Sequence, residues 1–473
     1  MKPRFLLPVA VLCLCLGAGG LLWAQDEPSA ALEQSEEEFF ASADVEAAAG
    51  QAEIRGLAEE LDRERVGLSG NLEASGSYFL TREFLRGDKG LDDNELPLMV
   101  QGDFLVDVRL KKGFRAFLDL SIGYLAGGAP VPHSFTVVSP FLDSADDIVP
   151  AGTVLLVTEE ATTLIGLKEV FVDFNIANAV YFRVGKQVLQ WGRGILWNPT
   201  DLINVQRKSF QDLEALREGV FGLRADVVFA RAFHLYTFFD LNGVQDLSDI
   251  AVAARAEFLV GSVEFAFSGW ARPSEIPVFG FDLSAPLFWD LSFHGEASLS
   301  WGYPVDKMDT VGSPVLIRNE LVPRVSVGLS RSFDAGDVQD RIVVNTEFYY
   351  NHLGYGENMF EVLAPDPVHL AEFLAGYYRS GDYGKYYGAL FVTFNRFLTT
   401  NMTLNVSGLG NFSDLSFIAM ANLSYAPVNN FTLSFTLGSY LGSDLREYTV
   451  LRRADGTLGG GALSVGLGAR VAF

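Results

Sequence analysis

The chain ends in "GALSVGLGARVAF" (461–473). Read with a period of two, Leu463, Val465, Leu467, Ala469, Val471 and Phe473 fall on one face, and Ser464, Gly466, Gly468, Arg470 and Ala472 on the other. Side chains of a strand point alternately to opposite faces, so this stretch is a strand with one oily and one small or polar side. A soluble sandwich strand alternates in the same way, so one strand decides little.

The pattern recurs. Phe431, Leu433, Phe435 and Leu437 alternate with Thr432, Ser434 and Thr436. Phe104, Val106, Val108 and Leu110 alternate with Asp103, Leu105, Asp107 and Arg109. About 18 such runs (16–18) lie between residue 66 and the C-terminus, each near the length that crosses a bilayer at a tilt. The connections segregate by length. Short ones, such as "KKG" (111–113), "VGS" (260–262) and "PVNN" (427–430), alternate with long ones near 83–97, 126–161, 190–217, 302–319, 352–384 and 442–460. "NFSD" (411–414) is the short exception on the long-loop side. Short periplasmic turns and long external loops belong to outer-membrane barrels, and a sandwich has no reason to sort its loops this way. The expected fold is all-β: an antiparallel transmembrane barrel with both termini periplasmic.

The composition agrees. Lys2 and Arg4 precede an apolar run from Phe5 to Leu22, and Ala24 precedes Gln25 and Asp26, the layout of a secretory signal peptide over residues 1–25. No apolar run of about 18 residues follows it, so no spanning helix is expected. Cys13 and Cys15, the only cysteines, lie in that leader. The remainder therefore holds no disulfide, thiolate metal site or cysteine nucleophile. The formal charge of −24 makes the chain a poor candidate for nucleic acid, whose binding depends on Lys and Arg against phosphates. Residues 26–65 hold 13 acidic and three basic residues. They read as an acidic periplasmic lead-in, partly helical or disordered, with a plug or a partner contact as the sharper alternative. The barrel is residues 66–473.

The chain's end resembles the C-terminal recognition strand of outer-membrane barrels, which closes on an aromatic residue. That resemblance makes Phe473 an assembly signal read by the barrel-assembly machinery, with outer-membrane lipid as the other partner.

His133, His234, His294, His352 and His369 are scattered, and no nucleophile elbow, zinc-protease helix or phosphate loop is present. No enzyme, cofactor or metal is expected. The lumen-facing positions instead carry both charges: Asp103, Asp107, Arg109, Arg115, Asp119, Glu169, Asp173, Arg183, Arg224, Asp226, Arg255 and Glu257. Such residues need water or an opposite charge, because a charge on the lipid face costs roughly 2–4 kcal/mol at the midplane. They read either as a wet channel lining or as ion pairs bracing a closed lumen.

One stretch breaks the regularity. "VYFRVGKQVLQ" (180–190) is a strand that turns Arg183 and Gln187 to the lumen, and it stops at "WGRGILWNPTDLIN" (191–204). Gly192 and Gly194 permit tight turns, and Asn198 before Pro199 can start a helical turn. "LINVQRKSFQDLEALRE" (202–218) reads as a short helix carrying Arg207 and Lys208. The expectation is a third loop, 190–217, that folds inward. "GKQVLQWGRG" followed by "NPTDLIN" resembles the Gly-[Arg/Lys]-Gln…Trp-Gly…Asn-Pro-x-Asp signature of large outer-membrane porin-like families, and is loosely similar to alginate-export barrels. The resemblance implies a transport barrel narrowed near Arg183, Gln187, Trp191, Arg193, Asn198 and Asp201. The residues themselves add Trp197, Arg207 and Lys208 of the loop and Asp173, Arg224 and Asp226 of the lumen face. Trp191 and Trp197 serve either the narrowing or a structural clamp of the loop against the wall. The chain's acidity departs from the cationic lumen that export of a polyanion requires. Two functions stay open: a porin or channel passing small hydrophilic solutes, or a non-conducting structural or adhesive barrel acting through its loops. The solute and the oligomeric state are not legible.

Overall fold

The computed structural model describes residues 65–87, 98–110, 113–126, 153–157, 161–176, 179–189, 191–203, 210, 219–230, 233–273, 275–302, 307–336, 338–452 and 458–473. The expected signal peptide and nearly all of the acidic lead-in lie outside them, as do Arg207, Lys208 and most of the expected helix 202–218.

Eighteen antiparallel strands form the wall. They are β1 (Arg65–Thr81), β2 (Leu98–Leu110), β3 (Phe114–Ala126), β4 (Ala161–Ile176), β5 (Val180–Gln187) and β6 (Val220–Ala230). Next come β7 (Phe233–Asp240), β8 (Ala251–Val260), β9 (Val263–Ala271), β10 (Val278–Pro286), β11 (Leu291–Trp301) and β12 (Leu321–Ala335). The last are β13 (Val338–Asn351), β14 (Tyr386–Asn395), β15 (Met402–Asn411), β16 (Ser416–Val428), β17 (Phe431–Leu441) and β18 (Leu458–Ala472). Each pairs with its neighbours in sequence, and β18 pairs with β1, from Asn71↔Ala472 to Thr81↔Gly461. The closure leaves no sheet edge, the condition for strands in a bilayer, where an unpaired backbone group costs several kcal/mol. The last residue completes the seam. Phe473 N–H donates to the Gly70 carbonyl and Gly70 N–H to the Phe473 carbonyl, both at 2.9 Å.

The wall is inside out relative to a soluble protein. Phe104, Phe267, Phe279, Leu299, Phe348 and Leu467 are exposed, while Asp282, Glu296, Ser298, Ser326 and Glu347 are buried. The outer face is thus apolar and the inner face polar, as the alternation requires. Loop lengths follow the expected phase. Connections after even strands are mostly tight, as at 261–262, 287–290 and 429–430. Those after β1, β3, β5, β11, β13 and β17 are long. At the long-loop rim, α1 (Met359–Leu363) and α2 (Pro367–Gly376) join Tyr355, Tyr378, Tyr383, Met308 and Val450 in one apolar cluster built from three loops.

Candidate functional site: the inner wall and the knot it holds

The inner faces of β2 to β6 carry a ladder of ion pairs. Asp107 takes both Arg109 (2.8 Å) and Arg115 (2.7 Å). Asp173, directly opposite Arg183 in register, binds it at 2.7 Å and lies 3.8 Å from Arg115. The Arg183 guanidinium also stacks over Phe171, 3.8 Å from the ring centroid. Arg224 and Asp226 pair at 2.7 Å. A register shift in the β3–β4 pairing sets Asp119 opposite Glu169 and Leu120 opposite Leu167. Lys168 is left as the extra residue of a bulge, and its ammonium reaches Asp103 at 2.7 Å. Strict alternation hides Lys168, because only the bulge turns it inward.

Gln187 ends β5 fully buried, its amide donating to the carbonyls of Arg183 and Gly222. The chain then leaves the wall and doubles back as a knot over 191–203. Two glycines are required there. Gly192 has φ 94°, and a Cβ would stand 2.6 Å from both carboxylate oxygens of Glu296. A Cβ on Gly194 would meet the Trp197 carbonyl at 2.0 Å.

Two wall carboxylates hold this knot. Glu296, on β11, accepts from the N–H groups of Arg193, Gly194 and Thr200, from the Asn198 amide (3.0 Å) and from the Thr200 hydroxyl (2.7 Å). Glu347, on β13, accepts from the N–H groups of Ile195 (3.1 Å), Leu196 (2.8 Å) and Trp197 (3.0 Å), and from the Ser326 hydroxyl (2.7 Å). An irregular segment has no ladder partner for these N–H groups, and the carboxylates supply one. Charge-assisted bonds of this kind contribute about 1.5–3 kcal/mol each.

The side chains lock the same geometry. Trp191 packs with Leu189, Ile203, Val220, Phe238 and Ala253. Trp197 stacks on Tyr349, with ring centroids 5.4 Å apart, and packs on Tyr387, while its indole N–H donates to the Gly381 carbonyl (2.9 Å). Asn198 also donates to the Gly194 carbonyl, and Asp201 N–H closes a turn onto Asn198. Arg193 reaches Glu257, Glu264 (2.6 Å) and Asp282 (3.4 Å) on β8, β9 and β10. Burial works against its cation, yet the three carboxylates outweigh burial and hold its pKa above the usual arginine value.

The structure therefore brings Trp191, Arg193, Trp197, Asn198 and Asp201 into one knot on the inner wall. Arg183 with Asp173, and Arg224 with Asp226, lie in the ladder. Sequence reasoning missed Thr200 and Glu347 and did not connect Glu296 to the knot. The available signal was an inward-facing glutamate on each of β11 and β13.

Neither a protein-family model nor a curated protein matches the sequence. The fold is similar to solved structures. Acinetobacter baumannii OccAB1 superposes with a TM-score of 0.50 at 10% identity, over 86% of this chain and 96% of that one. Pseudomonas aeruginosa OccK8 (OprE) gives 0.50 at 9% identity, over 86% and 98%. At such identities the likeness concerns the fold alone.

Proposed function

We propose that the protein is an outer-membrane channel for small hydrophilic solutes, narrowed by the third loop. The observation that carries this reading is the knot's attachment to the inner wall through Glu296 and Glu347. An 18-stranded barrel is wide enough for an aqueous lumen. A segment held on the inner wall by buried carboxylates, in this reading, narrows that lumen. In this reading the long-loop rim is external, residues 26–64 are periplasmic after removal of the leader, and Phe473 is the handle for assembly.

Arg193, Trp197, Asn198 and Asp201 set the narrow point, with Trp191 and Gln187 as its footing. The ladder of Asp173, Arg183, Arg224 and Asp226 lines the pore beside it, and Arg207 and Lys208 belong to the same loop. Replacing residues 192–203 with a Gly/Ser linker should enlarge single-channel conductance in planar bilayers. No conductance from the intact inserted barrel would refute the channel reading. Equal conductance of both proteins would refute the narrowing.

A further inference from the structure

We infer that the solutes of this channel are uncharged and polyhydroxylated, and that the inner face of β14–β17 selects them. This rests on the channel reading above and narrows its substrate class.

The wall has two sectors. Every strand from β2 to β13 carries at least one Asp, Glu, Lys or Arg, whereas β14, β15, β16 and β17 carry none. In the charged sector much of the charge is already matched. The ladder pairs its own members, and Arg193 meets Glu257, Glu264 and Asp282. The knot's carboxylate partners Asp282, Glu296 and Glu347 are buried.

The knot packs on this neutral sector at Tyr387, Ala389, Phe391 and Leu409, and the part nearer the short turns stays open. Asn405 is exposed, and Asn422, Ser424, Ser434 and Thr436 are half-buried. The register sets them in rows. One row runs Thr393, Asn405, Asn422, Thr436, and a second runs Thr403, Ser424, Ser434. Neighbours bond within and between rows: Thr393 hydroxyl to Asn405 Oδ1 (2.8 Å), Asn422 amide to Thr436 Oγ1 (2.8 Å), and Ser424 hydroxyl to Asn422 Oδ1 (3.0 Å).

Each of these bonds leaves capacity unused. Thr436 accepts and keeps its own proton to donate, and Asn405 accepts at Oδ1 and keeps its NH2. The open face is thus a grid of paired donors and acceptors at strand spacing. A polyol carries donors and acceptors on adjacent carbons, so it can exchange its hydration water for this grid. A charged solute of the same size finds no counter-charge on these strands and must keep its water or lose free energy.

The test is influx of isotope-labelled glucose, gluconate and glucosamine into vesicles carrying the membrane-inserted protein. Glucose is expected to enter fastest, with each charged analogue about threefold slower or more, since an unmatched charge in a confined pore is costly. Asn405→Asp with Asn422→Asp should raise glucosamine to the rate of glucose and slow gluconate further. A wild-type reversal potential near zero under a salt gradient is expected as well and needs no variant. Gluconate or glucosamine entering wild type as fast as glucose would overturn the inference and leave the channel standing. Entry of none of the three would overturn the channel reading itself.

Discussion

The seam between β1 and β18 and the knot at 191–203 are held in opposite ways. At the seam, backbone bonds backbone, from Thr81↔Gly461 to Asn71↔Ala472, and Phe473 adds the final reciprocal pair with Gly70. Any side chains that alternate correctly suit that arrangement. In the knot, backbone N–H groups bond two particular carboxylates, Glu296 and Glu347, about a hundred residues or more along the chain. A seam is one local rule repeated, whereas the knot is an agreement between distant positions.

The largest expected effect breaks the seam. Phe473→Asp puts a carboxylate on the outer face beside Phe104, whose ring lies 6.2 Å from that of Phe473. It also disturbs the pairing with Gly70, where unpaired groups in lipid cost several kcal/mol. Assembled protein in outer-membrane fractions should fall to background. Glu296 and Glu347 variants should assemble normally, and a Phe473→Asp variant at wild-type level would show that the seam tolerates what the comparison says it cannot.

Next comes release of the knot. Glu296→Ala with Glu347→Ala removes the acceptors for the N–H groups of residues 193–197 and 200. The wall pairs independently of them, so the barrel should keep its heat-modifiable mobility on gels. Conductance should rise by about half or more as the constriction is lost. An intact barrel of unchanged conductance would mean that packing of Trp191 and Trp197 alone holds the knot.

This contrast also explains what the sequence made legible. Alternation on Leu463 to Phe473 or Phe431 to Leu437 is a property of neighbours, so the barrel, its strand number to within 16–18 and its loop phase could be read directly. The knot's tryptophans and glycines stood out as a break in that rhythm. Their partners did not, because Glu296 and Glu347 look like any inward charge on their own strands. Lys168 escaped for a related reason: a one-residue bulge shifts the period locally.

A smaller effect comes from pH. Glu447, in the loop after β17, is buried and accepts from Gly381 N–H (2.9 Å), the Tyr387 hydroxyl (2.9 Å) and the Asn411 amide (2.8 Å). Burial, and then the nearby Asp414, push its pKa from 4.5 up to about 8. For a raised carboxyl the stabilising contribution is complete below the unfolded value and is lost as pH rises through the folded one. The loop network should therefore loosen as pH rises from about 4.5 to about 8. Gly381 links it to the knot, since its carbonyl takes the Trp197 indole. Amide exchange at Gly381, corrected for the intrinsic rise with pH, should accelerate over that window, and Glu447→Gln should flatten the profile. A wild-type profile already flat would remove this link between loop and knot.

The smallest effect is expected in the ladder, which resembles the seam in being complete within the wall. Arg183→Ala removes a two-pronged pair with Asp173, at 2.7 and 3.0 Å, and the stacking over Phe171. Asp173 keeps Arg115 at 3.8 Å, so the released charge has a second partner on β3. Both members of the pair are partly wet, and such pairs contribute about 0–1 kcal/mol. Thermal stability should drop by no more than that, with a slight shift of reversal potential toward cations. Arg193→Ala strips the cation that Glu257, Glu264 and Asp282 share, and Arg255 is left to face Asp282 and Glu257. Its shift toward cations should be several times larger, because charge in a confined pore is weakly screened. Asp173→Asn added to Arg183→Ala should restore the wild-type potential, since it removes the charge that Arg183 leaves behind. Equal shifts for Arg183→Ala and Arg193→Ala would show that the ladder depends on the knot.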